Sequence, residues 1–227
     1  MNKVKILWSG ITGRTGVQAE RFIKDYDNVE IVAGICHNKI KKYYTFDELD
    51  SITEEFDVII DFSHKDVFNK ILDFAVRKNK VLISGTSGVS DEQLANLEKA
   101  SYVIPIFRGG NFRFEIEKFI DDVVEYSKSH DNIKLVETHY KTKKIPSETA
   151  KVVAKRVLEE TGKIVTIESH LLYDDLINDW RVDRLNARVG TDGFETLAKH
   201  LFKIAYMMKD KKADGLYDLR RLIKEAE

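Results

Sequence analysis

Short unbroken apolar runs alternate with amphipathic segments along the first half of the chain. Five continuous apolar runs predict buried strands at residues 4–10, 29–36, 56–63, 80–88 and 102–107. Three segments with one apolar face predict helices at residues 14–26, 65–79 and 90–101, and a short helix or loop is predicted at 45–52. Apolar strands that alternate with helices indicate βαβ units, and therefore a parallel sheet covered on both faces.

The pattern changes after about residue 112. Three further helices and one strand are predicted at residues 113–130, 147–162, 193–210 and 132–140. The segments 163–173 and 179–190 alternate in the manner of antiparallel strands. The second half therefore predicts a smaller α+β domain, residues 113–194. The final helix is expected to return to the first domain, residues 1–112 plus 195–227.

The composition indicates a globular protein and narrows its partners. Of 227 residues, 43% are hydrophobic and 33% are charged, and the formal net charge of -1 gives no strong field to recruit nucleic acid or a membrane. The run that ends at Gly10 is too short for a signal peptide or a membrane span, and no other segment reaches that length. The single cysteine, Cys36, excludes an internal disulfide. We therefore expect a cytoplasmic protein without nucleic-acid or membrane partners.

A glycine turn follows the first predicted strand. The sequence "SGITGRTG" places Gly10, Gly13 and Gly16 between that strand and the first helix. Glycines at such a junction let the backbone approach a pyrophosphate, and the helix N-terminus supplies free N–H groups and the positive end of its dipole. This context favours dinucleotide binding over the alternative, a tight turn in an α/β protein that binds no nucleotide. Arg14 would either contact a cofactor phosphate or remain exposed.

The ends of the later strands indicate further cofactor contacts. The second strand of such a fold usually ends in an acid that binds the ribose 2′-hydroxyl of NAD, but here "CHNKIKK" holds His37 and three lysines and no acid. These basic residues slightly favour NADPH over NADH, although surface lysines are usually just solvated. The third strand ends in "DFS". The fourth ends at the same edge in "SGTSG", where Gly85 and Thr86 could pass under a nicotinamide ribose.

Taken in order, the motifs resemble one family, dihydrodipicolinate reductase (4-hydroxy-tetrahydrodipicolinate reductase) of lysine biosynthesis. The matching segments are "GITGRTG", "VIIDFS", "GTSG", "GGNF" (109–112), "ETHYKTK" with "PS-TA" (137–150) and "GLYD" (215–218). They are specific as an ordered set along nearly the whole chain. The resemblance implies an α/β fold with a Rossmann-type doubly wound parallel sheet. It also implies a second, smaller α+β domain for substrate binding and for the contacts of a homotetramer.

The resemblance assigns roles to individual residues. It implies hydride transfer from NADPH or NADH to a cyclic dicarboxylate imine, with His139 as general acid or proton relay and Lys143 as proton donor or polarising cation. Cofactor binding falls to Gly10, Thr12, Gly13, Arg14, Thr15, Gly16, Phe62, Ser63, Gly85, Thr86, Asn111 and Phe112. Substrate binding falls to Tyr140, Ser147, Glu148 and Thr149, with the helix they open holding a carboxylate. Glu137 shares a strand face with His139, and we expect it at the surface.

Departures from the family pattern fall on the substrate side. Tyr140 stands where the family has a second histidine, and the loop before Pro146 is one residue shorter. Glu148 replaces a glycine. If its carboxylate points into the pocket, it would repel a substrate carboxylate by roughly 4 kcal/mol at about 4 Å, whereas an outward acid in the first helical turn gains about 0.3–1 kcal/mol. Further on, Gly190 and Thr191 replace the family's Ser-Arg pair.

Three functions are compatible with these observations. The leading hypothesis is an NAD(P)H-dependent reductase of 4-hydroxy-tetrahydrodipicolinate in the diaminopimelate and lysine pathway. The alternatives are an oxidoreductase of the same fold acting on another small carboxylated substrate, and a non-catalytic nucleotide-binding protein. We expect no metal site, because the remaining histidines show no metal-ligand spacing with cysteine or with one another.

Overall fold

The computed structural model describes residues 3–109 and 111–226. The chain divides into two compact units, Met1–Gly109 with Phe194–Glu227, and Gly110–Gly193. The described residues form eleven strands: β1 (Val4–Ser9), β2 (Val29–Cys36), β3 (Tyr44–Thr45), β4 (Val58–Asp61), β5 (Val81–Ser84), β6 (Ile106–Arg108), β7 (Ile133–Tyr140), β8 (Val165–Tyr173), β9 (Asn178–Val182), β10 (Leu185–Val189) and β11 (Leu216–Tyr217). They also form seven α-helices: α1 (Arg14–Phe22), α2 (Phe68–Lys78), α3 (Asp91–Ala100), α4 (Phe114–Ser129), α5 (Glu148–Thr161), α6 (Gly193–Met208) and α7 (Leu219–Lys224).

The first unit contains a seven-stranded parallel sheet in the order β11-β6-β5-β4-β1-β2-β3. Strands β4 and β5 are buried along their whole length, as expected of strands that are covered on both faces. This confirms the predicted Rossmann-type sheet. The chain passes from β1 to β2 on one side and on to β4 on the other side. The carboxyl ends of β1 and β4 therefore flank the crevice where open α/β sheets bind ligands.

The core of the first unit forms between the sheet and its helices. Leu7, Ile59 and Leu82 project from adjacent strands and pack in one cluster with Phe68 and Phe74 of α2. The apolar residues of α2 recur at helical spacing, which is why one face of the helix is buried while its charged face is exposed. Each fully buried side chain of this size contributes about 1.5–3 kcal/mol to folding.

The second unit pairs a four-stranded sheet with two helices. The strand order is β10-β9-β7-β8. Helices α4 and α5 pack on the sheet through a cluster that includes Ile120, Val153, Leu135 and Trp180. The N-terminus of α5 follows β7 after a short loop, so the helix start lies close in sequence to the end of that strand.

The direction of β8 differs from the sequence prediction. Residues 163–173 were expected to form an antiparallel strand, but β8 runs parallel to β7, with Leu135 opposite Ile167. The crossover through α5 returns the chain to the same end of the sheet, which makes the pair parallel. Only the segment 179–190 fits the antiparallel expectation, as the β9–β10 hairpin that turns at Asp183 with φ 51°.

Other boundaries also differ. The run 102–107 was predicted as a strand, but β6 begins only at Ile106, and Tyr102 and Val103 are 65% and 59% exposed. Their apolar character predicted burial, but both residues lie in the exposed turn after α3. The short elements β3, β11 and α7 were not predicted, because two to six residues carry too little periodicity. Within residues 3–109 and 111–226, every helix is too short or too polar to span a lipid bilayer.

Two features of the backbone require glycine at position 10: a positive φ and the lack of room for a Cβ atom. Its φ is +81°, and a Cβ built there would lie 2.4 Å from the Phe62 carbonyl oxygen. Gly162, which ends α5, has a similar φ of +71°, yet nothing lies within 4 Å of its Cβ position. The two positions therefore share the same backbone strain and differ in steric contact.

We predict that Gly10→Ala destabilises the protein more than Gly162→Ala does. The shared left-handed backbone costs about 1–2 kcal/mol in each variant. The contact with Phe62 adds about 1–3 kcal/mol at position 10 only. Urea unfolding of the two variants checks the prediction, and equal losses of unfolding free energy would contradict it.

Candidate active site

The glycine turn lies at the carboxyl end of β1. The Gly10 N–H donates to the Ile35 carbonyl at 2.9 Å, and the Gly13 N–H donates to the Gly10 carbonyl at 2.9 Å, so backbone bonds hold the turn. A cavity of about 480 Å³ opens beside it. Five of the residues predicted to bind cofactor line this cavity: Gly10, Thr12, Gly13, Phe62 and Ser63.

The first turn of α1 has different surroundings. Thr15 and Gly16 are buried, and a Cβ on Gly16 would lie 2.3 Å from the Ile11 carbonyl oxygen. Glycine here allows the helix to pack closely against the chain that leaves β1. Arg14 is exposed, and its guanidinium lies over the Phe194 ring at 4.6 Å from the centroid. These residues shape and flank the turn and do not line the cavity.

The chain after β2 carries basic residues, two of which are ion-paired. His37 lines the cavity. Lys39 pairs with Glu48 at 2.7 Å, and Lys42 pairs with Glu20 at 2.5 Å. Exposed pairs of this kind contribute about 0–1 kcal/mol, so they can exchange partners at little cost. A ribose 2′-phosphate would nevertheless compete with two carboxylates for these lysines.

A buried carboxyl group joins the ends of β4 and β5. Asp61 accepts hydrogen bonds from the Ser63 hydroxyl at 2.6 Å and the Thr86 hydroxyl at 2.7 Å, and the Ser63 N–H donates to the Thr86 hydroxyl at 3.2 Å. Burial raises the pKa of Asp61, although these hydrogen bonds oppose the shift. Two predicted cofactor residues are thereby held by an acid to which we assigned no role. An acid at the end of a continuous apolar run was the signal in the sequence.

Gly85 lies beneath the ring of Phe62. A Cβ on Gly85 would approach the Phe62 ring to 2.2 Å, so the two predicted cofactor residues are in contact and only glycine fits. The Gly85 N–H donates to the Asp61 carbonyl at 2.8 Å. On the adjoining strand, Arg108 donates to the Ser84 hydroxyl at 2.9 Å. Hydrogen bonds therefore join neighbouring strands at the carboxyl edge of the sheet.

Asn111 and Phe112 lie at the start of the second unit. The Asn111 side chain accepts from the Arg113 N–H at 3.1 Å and donates to the Arg113 carbonyl at 3.0 Å. Phe112 is buried. Both side chains order the segment that leads into α4.

Glu137 is the buried acid of the second unit. Its carboxylate accepts from the Ser147 N–H at 3.0 Å, the Ser147 hydroxyl at 2.5 Å, the Ser169 hydroxyl at 2.6 Å and His139 Nε2 at 2.9 Å. Burial acts to raise the pKa of Glu137, but the bonds from Ser147, Ser169 and His139 outweigh it and lower the pKa. The expectation of a surface position for Glu137 was wrong, because its donors come from segments ten and thirty-two residues away.

Ser147 is the N-cap of α5, and its hydroxyl is fully used. The hydroxyl donates to Glu137 and accepts from the Ala150 N–H at 3.2 Å and from Trp180 Nε1 at 3.0 Å. A hydroxyl has one proton and two lone pairs, so no capacity remains for a ligand. The N–H groups of Glu148 and Thr149 in the first turn of α5 are the ones without an intrahelical acceptor.

His139 is fully buried beside Glu137. The ionised Glu137 carboxylate can only accept, so Nε2 of His139 carries the proton of their hydrogen bond. Its Nδ1 is buried and has no hydrogen-bond partner in the described part of the chain. The ring meets Trp180 edge-on at 5.3 Å between centroids.

Lys143 differs from the lysines around it. Burial lowers its pKa, which Arg113 lowers further, while Glu137 and Glu148 act in the opposite direction. Nζ lies 5.7 Å from the centroid of the half-buried Tyr140 ring. Among the described residues, no carboxylate forms an ion pair with Lys143.

Glu148 points away from the buried network. Its side chain is 74% exposed and pairs with Lys151 at 2.6 Å, one turn along α5. Thr149, beside it, is half-buried. The acid that replaces the family's glycine thus lies in solvent, where the first turn of a helix favours it.

The sheet and its glycine turn define a Rossmann-type protein with a separate α+β unit. The described residues contain no group of three or more His, Cys, Asp or Glu side chains placed to hold a metal ion. The family profile "Dihydrodipicolinate reductase, N-terminus" matches residues 4–112.

Two curated relatives named 4-hydroxy-tetrahydrodipicolinate reductase extend the match. The protein from Caldanaerobacter subterraneus subsp. tengcongensis is 35% identical over 159 residues, which cover 68% of this chain and 63% of the relative. The protein from Clostridium perfringens is 30% identical over 177 residues, which cover 75% of this chain and 68% of the relative. The chain therefore belongs to the dihydrodipicolinate reductase family, and it spans less than two thirds of the length of the first of these relatives.

One solved structure shares the fold over almost the whole chain. Dipicolinate-bound dihydrodipicolinate reductase from Paenisporosarcina sp. TG-14 superposes with a TM-score of 0.74 and 15% sequence identity, covering 96% of this chain and 98% of that one. At this identity the similarity concerns the fold alone.

We predict that Asp61→Asn flattens the pH dependence of stability above about pH 4. Because the folded pKa is raised, the fold holds this proton more tightly than the unfolded chain, whose ordinary Asp value is about 3.9. Stability is therefore lost as pH rises from that value through the folded pKa, and an amide carries no such loss. Thermal unfolding between pH 4 and 8 checks this. An unchanged slope in the variant would contradict it.

We predict that Glu137→Gln costs about 2–4 kcal/mol of unfolding free energy, because an amide NH₂ would face donors from Ser147 or His139. The matched control is Glu168→Gln. Glu168 forms the same two-residue pairing with His170 on β8 and a second pair with Lys134, but its side chain is 43% exposed, so its loss should cost less than about 1 kcal/mol. Similar losses in urea unfolding would refute the special role of the buried acid.

Proposed function

We propose that this chain is an NAD(P)H-dependent reductase of a cyclic imine dicarboxylate, 4-hydroxy-tetrahydrodipicolinate, in the diaminopimelate and lysine pathway. The observation that carries the proposal is Lys143, a partly buried lysine without a carboxylate partner among the described residues, which stands in the family's motif. Family membership and the relatives' names support the same reaction. Because the chain spans only part of those relatives, the activity is an inference and calls for a direct assay.

The first unit is proposed to bind the nicotinamide cofactor. The close backbone at Gly10 and the start of α1 fit a pyrophosphate, because they leave no room for side chains and present backbone N–H groups. Gly85 and Thr86, at the hydrogen-bonded edge of the sheet, are proposed to contact the nicotinamide ribose. NADPH is slightly favoured because no acid follows β2 to bind a 2′-hydroxyl. When bound, the cofactor supplies the hydride.

In the second unit, Lys143 is proposed to supply the proton or to stabilise the charge that hydride addition leaves on the substrate. A lysine with a lowered pKa is a better acid near neutral pH than an ordinary one. His139 is proposed to act as a proton relay, with Glu137 holding its Nε2–H. Because the His139 ring is buried, Lys143 is the residue proposed to contact the substrate directly.

The start of α5 is proposed to bind a substrate carboxylate. Ser147 contributes by capping the helix, and the free N–H groups of Glu148 and Thr149, with the Thr149 hydroxyl, would make the contacts. Tyr140 would line the same site beside Lys143. The outward position of Glu148 removes the repulsion that favoured a different substrate. A cytoplasmic homotetramer is proposed by family resemblance.

The assay measures NADPH and NADH oxidation with enzymatically generated substrate. We expect turnover by the wild type, and a fall in kcat/KM of at least about 100-fold for Lys143→Ala, with unchanged NADPH affinity. Lys141→Ala is the matched control, because Lys141 lies two residues away and pairs at the surface with Asp174 at 2.6 Å. Cofactor binding without turnover by the wild type would favour the non-catalytic alternative. Turnover only with other imines or keto acids would favour an oxidoreductase of the same fold that acts on another small carboxylated substrate.

A pH profile separates the two roles of Lys143. If it donates the proton, activity is lost as pH rises through its folded pKa, which lies below the ordinary lysine value of about 10.4. Lys143→Arg keeps the charge but does not release a proton, so it should lose most activity at every pH. A fully active arginine variant would show that only the positive charge is needed.

A further inference from the structure

Arg113 immediately precedes α4 and is only partly satisfied by the protein. Its Nη2 donates to the Gly193 carbonyl at 2.8 Å. Its Nε is buried and has no hydrogen-bond partner among residues 3–109 and 111–226. Nη1 likewise has no protein acceptor in the same residues. A guanidinium in this state has donors to offer.

The guanidinium borders the turn between β10 and α6. A Cβ on Gly193 would lie 3.4 Å from Arg113 Nη2, so glycine leaves space for the arginine. The same turn contains Gly190 and Thr191, which stand where the family has Ser-Arg. An arginine from the start of α4 therefore reaches the turn that lacks one.

Arg113 and Lys143 belong to one electrostatic neighbourhood. Burial lowers the pKa of Arg113, and Glu115 and Asp192 act against this shift. The positive charge of Arg113 in turn lowers the pKa of Lys143. Neither cation forms an ion pair with a carboxylate in the described chain. Two desolvated like charges repel one another, and a bound anion would relieve that repulsion.

The carboxylates that act on Lys143 are otherwise engaged. Glu137 is held by its hydrogen bonds from Ser147 and Ser169, and Glu148 pairs with Lys151. Neither forms an ion pair with Lys143. The second unit thus presents a fork-shaped donor and an ammonium group, neither of which is ion-paired with a carboxylate of the described residues.

We infer that Arg113, which lies beside the turn that lacks the family's arginine, binds one carboxylate of the substrate. The planar guanidinium matches a carboxylate better than an ammonium group does, and Lys143 of the same unit remains for the reacting imine. The inference rests on the proposed function. It assigns a specificity-determining role to a residue that lies outside the family motifs of this chain.

The test compares two inhibitors, pyridine-2,6-dicarboxylate and pyridine-2-carboxylate, by calorimetry on the full chain with saturating NADH. We expect Arg113→Gln to weaken the dicarboxylate by about 10- to 100-fold, the effect of losing a charged hydrogen bond. The ratio of the two dissociation constants, large in the wild type, should collapse towards one. Arg113→Lys should be intermediate. Arg181→Gln, an exposed arginine of the same unit, should leave the ratio unchanged.

A purely structural Arg113 gives a different result. Arg113→Gln would then lower the thermal unfolding midpoint and weaken both inhibitors in proportion, with the wild-type ratio retained, and the inference would be overturned. Absence of dicarboxylate binding to the wild type would overturn both the inference and the proposed substrate. A collapsed ratio in a protein without turnover would support the subsite and reject only the reductase activity.

Discussion

The buried carboxylate of Glu137 is the group on which the second unit depends. An ionised acid away from water is stable only when it is fully hydrogen-bonded. Its donors come from three segments: His139 on β7, Ser147 at the start of α5 and Ser169 on β8. Satisfying one charge therefore fixes the helix start relative to both strands. The first-turn N–H groups of α5 and the loop that carries Lys143 take their positions from that arrangement.

Asp61 plays a comparable part in the first unit with the opposite electrostatic outcome. It joins the ends of β4 and β5 through Ser63 and Thr86, as Glu137 joins its own segments. Yet burial raises the pKa of Asp61, while hydrogen bonds lower that of Glu137. At Asp61 desolvation outweighs the bonds from Ser63 and Thr86, whereas at Glu137 the bonds from Ser147, Ser169 and His139 together outweigh desolvation. One acid favours retaining its proton, and the other favours the charge that orients a histidine.

Two cations of the second unit, Arg113 and Lys143, differ from its buried acid, Glu137, in how far the protein satisfies them. The Glu137 carboxylate is fully hydrogen-bonded by protein donors, while Arg113 and Lys143 are desolvated and form no ion pair with a carboxylate among the described residues. A protein that leaves such groups uncompensated is suited to an anionic ligand. The outward position of Glu148 is consistent with this, because the acid that could have closed the site pairs with Lys151 instead. The site chemistry therefore supports the proposed dicarboxylate substrate.

The sequence by itself determined the parallel sheet, the glycine turn after β1 and the helix start at Ser147, because each depends on residues close together in the chain. Only the tertiary structure decided the direction of β8, the burial of Glu137 and His139 and the outward turn of Glu148. Alternation of apolar residues records which face of a strand is buried but not which way the strand runs. The contact between Arg113 and Gly193 joins positions eighty residues apart, so no local pattern could indicate it.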